Sequence, residues 1–214
     1  MNKKHTIYLL MLIILLGVFL RFYNLGEESF WLDEGGTALN IKKYDSLETL
    51  DNIVKHGHIL PEYYPYYNDD LPAYPIILNT WAKIFGISEF SLRAFSAILG
   101  SLALIAVFYL ARYLFNEKIA LLSAFLASIN LTLIWSSQEA RQYTYLLFLS
   151  LLSVIFLLKS LKECKTRHII GLLVVNALII YSHFPWFMFI ALEGVYALYI
   201  IYRDYADKKE LHKK

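Results

Sequence analysis

The chain alternates long apolar runs with short polar interruptions, and its one long polar stretch comes early. Six runs approach the roughly 20 apolar residues that a helix needs to cross a bilayer: about 6–23, 91–113, 118–136, 142–161, 168–183 and 185–203. A seventh, about 72–86, is short, broken by Pro72 and Pro75 and interrupted by Asn79 and Lys83, so it reads as an interfacial helix. The first run follows Asn2-Lys3-Lys4 and closes on Arg21-Phe22-Tyr23, which is no small-residue cleavage site, so it reads as a retained anchor. The stretch from about 24 to 90 is too long for a simple connector. Within it, Gly35-Gly36 predicts a tight turn, and Asp45 to Lys55 a short amphipathic helix. The pattern predicts an all-α polytopic transmembrane bundle of about six spans, with a large first extracytoplasmic loop that holds short interfacial helices. The membrane module covers 1–203, and 204–214 is a polar cytoplasmic tail.

Composition sharpens this in one respect. With 58% hydrophobic residues in 214, a soluble domain could not hide its apolar surface, so lipid must be the solvent for much of it. Charge then sets the expected orientation. With the N-terminus in the cytoplasm, thirteen of the twenty lysines and arginines fall on the inner side, mostly in short segments. Both termini are then cytoplasmic. The acids run the other way: Glu27, Glu28, Asp33, Glu34, Asp45, Glu48, Asp51, Glu62, Asp69, Asp70 and Glu89 all lie in the first outer loop. An active site is therefore expected on the external face, and nucleic acid is excluded as its partner. The single Cys164 rules out an internal disulfide and falls in a basic inner loop.

Candidate chemistry gathers at the outer ends of the spans. Phe30-Trp31-Leu32-Asp33-Glu34 puts two adjacent carboxylates beside aromatic residues just where the chain leaves the bilayer. They could supply a base or a ligand, or simply face water. Gln138-Glu139-Ala140-Arg141-Gln142-Tyr143 is a dense polar cluster between two apolar runs. Arg141 has the planar fork suited to a phosphate, or it could pair with Glu139 or with an acid of the first loop. His183, between the last two runs, could donate to a phosphate or cap a helix end. Arg93, beside a plausible N-cap at Ser88, reads as an anchor at headgroup level. Glu193 lies inside the last run and should face the bundle interior. Tyr63, Tyr64, Tyr66 and Tyr67 could stack on sugar rings or form an aromatic belt. His56 and His58 are too loosely spaced from Asp51 and Glu62 for a zinc site. Asp69 and Asp70 could bind a divalent cation or cap the turn before Pro72. Asn130-Leu131-Thr132 fits a glycosylation sequon but lies within an apolar run.

Taken in order, Arg21-Phe22-Tyr23, Phe30-Trp31-Leu32-Asp33-Glu34, Asp70-Leu71-Pro72-Ala73-Tyr74-Pro75, Trp81-Ala82-Lys83-Ile84-Phe85-Gly86, Ser88-Glu89-Phe90-Ser91-Leu92-Arg93, Ser137-Gln138-Glu139-Ala140-Arg141-Gln142-Tyr143 and Tyr181-Ser182-His183-Phe184 form a series. It resembles the N-terminal half of the GT-C membrane glycosyltransferases, in the branch of the dolichyl-phosphate-mannose protein mannosyltransferases and the lipid A aminoarabinose transferases. The resemblance implies inverting transfer of a sugar from a polyprenyl-phosphate carrier to a lipid, glycan or protein acceptor on the external face. It makes Asp33 the general base and Glu34 the neighbouring acid that helps bind acceptor or donor. Arg141 then organises the leaving phosphate, directly or through Glu34. Glu139, Tyr143, His183, Arg93, Asp70 and Tyr74 join the substrate-binding side. No protein metal site is implied, although a divalent cation could accompany the substrate. Two departures stand out: Leu71 and Ala73 flank Pro72 where the family usually has His or Pro, and family members are usually much longer. The chain could therefore be half of a split enzyme whose missing spans come from a second chain, or a non-catalytic subunit. A small transporter or lipid-binding protein is the remaining reading.

Overall fold

A computed structural model describes residues 3–43 and 73–211. Every regular element among them is helical. These are α1 (Lys3–Phe22), α2 (Leu32–Lys43), α3 (Ala73–Phe85), α4 (Glu89–Leu114), α5 (Glu117–Ile129), α6 (Leu131–Ser137), α7 (Gln142–Glu163), α8 (Thr166–Ile180) and α9 (Phe187–Leu211), with a 3-10 turn at Phe184–Trp186 before α9. The expected helix over 45–55, the tyrosine cluster, His56, His58, Asp69 and Asp70 lie outside the described residues.

Among the described residues four helices are long and apolar enough to span: Lys4–Phe22, Glu89–Leu114, Gln142–Glu163 and Phe184–Ala206. The expected third span is not one helix. It breaks between Ile129 and Leu131 with a bend of 61°. Asn130 causes the break, because its extended backbone ends α5 while its side-chain oxygen accepts the Leu133 N–H at 3.0 Å and starts α6. The sequon asparagine is thus a helix cap. The expected fifth span is the 15-residue α8, about 22 Å at 1.5 Å per residue, short of the hydrocarbon thickness. At the far end, α9 runs through Leu211, so the expected tail begins as an extension of the last helix.

Small residues let the helices meet closely, as in other membrane bundles. A Cβ on Gly17 would strike Leu104, and one on Gly100 would strike Ser137. Through this gap runs Arg21, only 1% exposed. Its guanidinium donates to the carbonyls of Gly17 at 3.0 Å, Ser128 at 3.3 Å and Ala127 at 3.3 Å. The last two are among the carbonyls orphaned where α5 ends, so Arg21 satisfies the break from inside the bundle. Gln138 closes the same junction, donating from Nε2 to the carbonyls of Leu20 (3.1 Å) and Tyr23 (3.0 Å).

Helix ends fix the polarity of the bundle. The C-terminal ends of α1, α6 and α8 and the N-terminal ends of α4 and α7 gather at one pole. At the other, Thr6 donates to Glu117 at 3.1 Å, Arg112 pairs with Glu117 at 2.9 Å, and Lys159 lies 4.7 Å from the Tyr109 ring centre. The short α3 packs under the first pole, with Tyr74, Leu78, Asn79 and Ala82 buried. At 13 residues it is too short to cross a bilayer. Trp81 Nε1 donates to the Ser91 carbonyl at 2.9 Å, and the Ala73 N–H to the Tyr181 carbonyl at 2.9 Å.

Candidate active site

The first-pole site is built around one buried ion pair. Residues 23–31 make an irregular turn with Asn24 at φ +54°, and its carbonyls point inward toward Arg93. Arg93 Nε donates to Glu34 Oε1 at 3.0 Å and Nη2 to Glu34 Oε2 at 2.7 Å. The remaining hydrogens go to the carbonyls of Leu25 (3.2 Å), Glu28 (2.7 Å) and Ser29 (3.2 Å). All five donors of the guanidinium are then committed. Arg93 therefore has none left for a lipid phosphate: instead of snorkelling, it is a buried clasp that shapes the first loop.

Glu34 is equally occupied. It is fully buried, and besides Arg93 it accepts the Ala140 N–H at 2.7 Å and the Trp31 N–H at 3.4 Å. One carboxylate thus joins the start of α2, the start of α4 and the linker between α6 and α7. The expectation that Arg141 works through Glu34 is corrected as well, because Arg93 holds both oxygens.

Arg141, the last residue before α7, reaches the next turn of α2. Its Nη1 donates to Thr37 Oγ1 at 3.3 Å, and Thr37 Oγ1 in turn donates to the Asp33 carbonyl at 3.1 Å. Arg141 Nε is buried without a hydrogen-bond partner. Asp33 is half-buried in the first turn of α2, where the helix dipole favours a carboxylate. The diglycine after it is corrected from a tight turn: Gly35 and Gly36 continue the helix, and a Cβ on either would meet nothing within 4 Å.

Glu139 completes the cluster. Burial pushes its carboxyl above the usual carboxylate range, the Glu34 and Asp33 carboxylates add to that, and the Arg141 and Arg93 guanidinium groups pull against it. Glu139 also lines two adjoining hollows, of about 280 Å³ and 590 Å³. They share Glu28, Trp31, Arg93, Trp135 and Glu139, so they read as one groove. Tyr23 walls its narrower part and Tyr143 its wider part. Trp31 is 46% exposed and Trp135 68%. A groove with acidic and aromatic walls can hold a polyhydroxylated ring while its mouth meets an apolar tail. Among the described residues no group of three acids, histidines or cysteines could hold a metal.

Sequence comparison places this site in a family. A family model described as dolichyl-phosphate-mannose-protein mannosyltransferase matches residues 69–211. The chain belongs to that family. It is 31% identical over 166 residues to dolichyl-phosphooligosaccharide-protein glycotransferase 2 of Archaeoglobus fulgidus, covering 72% of this chain and 27% of that protein. An uncharacterized protein of Aquifex aeolicus is 30% identical over 160 residues, covering 71% of this chain and 29% of its own length. The chain thus spans less than a third of the length of these relatives. No solved structure matches. In this mannosyltransferase-family chain, the matched stretch includes Arg93, Glu139 and Arg141 but starts after Asp33 and Glu34. The fold brings the two acids to it.

The remaining candidates divide. Tyr143 lies on the groove. Tyr74 does not: it is 2% exposed and packs on Tyr145, with ring centres 5.6 Å apart, inside the core. His183 stands to one side, with its Nδ1 3.1 Å from Gln142 Nε2, and is not among the groove-lining residues. Asp70 lies outside the described residues. The residue the motif reading missed is Trp135, whose only signal was an aromatic residue three positions before Gln138 at the end of an apolar run.

Proposed function

We propose that this chain carries the catalytic pole of a polyprenyl-phosphate-dependent glycosyltransferase, working on the external face with both termini in the cytoplasm. The observation that carries the reading is Glu139, which lines a groove walled by Trp31, Trp135 and Tyr143 and feels the charges of Asp33 and Arg141, two residues behind it that do not line the groove themselves. Family membership and the glycotransferase relative support the reaction class. The basic residues at the opposite pole, Lys4, Arg112, Lys118, Lys159, Lys162, Lys165 and Arg167, support the orientation.

In this reading the acceptor hydroxyl attacks the anomeric carbon from the side opposite the phosphate, and configuration inverts. Asp33 takes the hydroxyl proton as the new C–O bond forms. The bond from the anomeric carbon to the phosphate oxygen breaks, and the lipid phosphate leaves with the electron pair. Arg141, with a buried donor to spare, meets the growing negative charge. Glu139 and Trp135 hold the sugar, while Glu34 and Arg93 are positioning residues. General-base assistance is worth about two to four orders of magnitude.

The test is transfer from a polyprenyl-phosphate sugar, assayed in membranes. Asp33→Asn is expected to lower turnover by about 10²–10⁴-fold with the protein still folded. Unchanged turnover in that variant, with loss in Glu139→Gln, would move the base to Glu139.

A further inference from the structure

A second polar site lies within the bundle, away from the groove and unused by the transfer reaction. Glu193 sits on α9, six residues past its first residue and so about 9 Å along the helix. It is 8% exposed, on a helix that otherwise turns mostly apolar residues outward: Leu192, Val195 and Leu198 are each more than 60% exposed. Its carboxyl meets Ser153 of α7 and Asn176 of α8. Ser153 Oγ lies 2.5 Å from Asn176 Oδ1 and 2.8 Å from Glu193 Oε2, and Asn176 Nδ2 lies 3.1 Å from the same Oε2.

The hydrogens in this ring can be counted. Ser153 has one hydroxyl hydrogen but two close oxygen neighbours. If it goes to Glu193, the 2.5 Å contact with the Asn176 carbonyl has no hydrogen in it and is repulsive. If it goes to Asn176, the contact with Glu193 needs a hydrogen from the carboxyl. Turning the Asn176 amide over does not help, because its oxygen then faces Glu193 Oε2 and again needs a hydrogen from the acid. Every arrangement that fills all three contacts puts a proton on Glu193.

The surroundings agree. Among the described residues no ion pair reaches Glu193. The charged groups on the two helices packed against it lie toward the other pole: Lys159 and Lys162 lie over Tyr109 and Tyr113, Glu163 meets Lys165 and His168, and Arg167 stands in the first turn of α8, nine residues before Asn176. Glu193 Oε1 is buried without a hydrogen-bond partner. A carboxylate placed so would be a charge in hydrocarbon with one oxygen bare, whereas a neutral acid leaves only a carbonyl unpaired.

We propose that Glu193, Ser153 and Asn176 form a proton-binding site inside the membrane, with Glu193 held as a neutral carboxylic acid at neutral pH. The proton is the ligand, and it closes the ring that joins α7, α8 and α9.

The test is infrared difference spectroscopy of the chain reconstituted in lipid bilayers at neutral pH, wild type minus Glu193→Gln. The expected result is a carbonyl stretch of a protonated carboxylic acid in the wild type that the variant lacks. A carboxylate stretching pair in its place would overturn the proposal. Ser153→Ala keeps the acid and so does not depend on Glu193→Gln folding. It should shift the protonated-acid band by removing its hydrogen-bond partner, and an unmoved band would likewise overturn the ring.

Discussion

Single side chains at the first pole divide into those that build the site and those proposed to act in it. Arg93 and Glu34 build it. Their side chains are 8% and 1% exposed, joined at 2.7 Å, and removing one charge strands the other. Glu34→Gln is expected to cost about 3–5 kcal/mol, seen as a lowered unfolding midpoint in detergent, with lost transfer following from lost structure. Glu139 supplies the pH signature. Its carboxyl binds a proton more tightly in the folded chain than in the unfolded one, so it favours the fold below its raised folded value. That contribution is lost as pH rises through the window above the ordinary carboxylate range. Thermal unfolding followed from pH 4 to about 8 should show the wild type losing stability relative to Glu139→Gln across that window.

At the scale of elements, α2 and the α5–α6 break carry most of what the apolar pattern could not foretell. Gly35-Gly36 suggested a turn, because glycine permits one. Instead Asp33 and Glu34 occupy the first helical turn and Arg93 pins it. Since a Cβ at Gly35 meets open space, Gly35→Ala should stabilise the protein by up to about 1 kcal/mol, read as a raised midpoint. If that variant binds the donor more weakly while melting higher, the open space belongs to substrate. The α5–α6 break was hidden because Asn130 interrupts an apolar run without reducing its hydropathy enough to notice. Its cap and the reach of Arg21 from α1 appear only when the helices are assembled.

For the whole molecule, the helix ends put all the site's elements at one pole and the short basic turns at the other. The lone cysteine offers a direct check. Cys164 ends α7 at φ +50° and is exposed, at the basic pole. In right-side-out vesicles an impermeant maleimide should leave Cys164 unlabelled, while Ser29→Cys in a Cys164→Ser background is labelled. The reverse result would invert the orientation. The exposed apolar faces of α1 and α9, including Leu12, Leu15, Leu192 and Leu198, fit a lipid solvent or further helices alongside.

The sequence alone was enough to establish the membrane bundle, the family likeness and the pole where polar residues collect, because hydropathy and charge act residue by residue and need no partner. It also marked Asp33, Glu139 and Arg141 as residues of interest. Their roles, and those of their neighbours, depended on contacts across long sequence separations: Glu34 with Arg93 and Ala140, Arg141 with Thr37, Ser153 with Asn176 and Glu193. A guanidinium reads the same along the chain whether five carbonyl and carboxylate oxygens await it or none. Only the packed helices decide that, since the energy of a buried charge is set by what surrounds it.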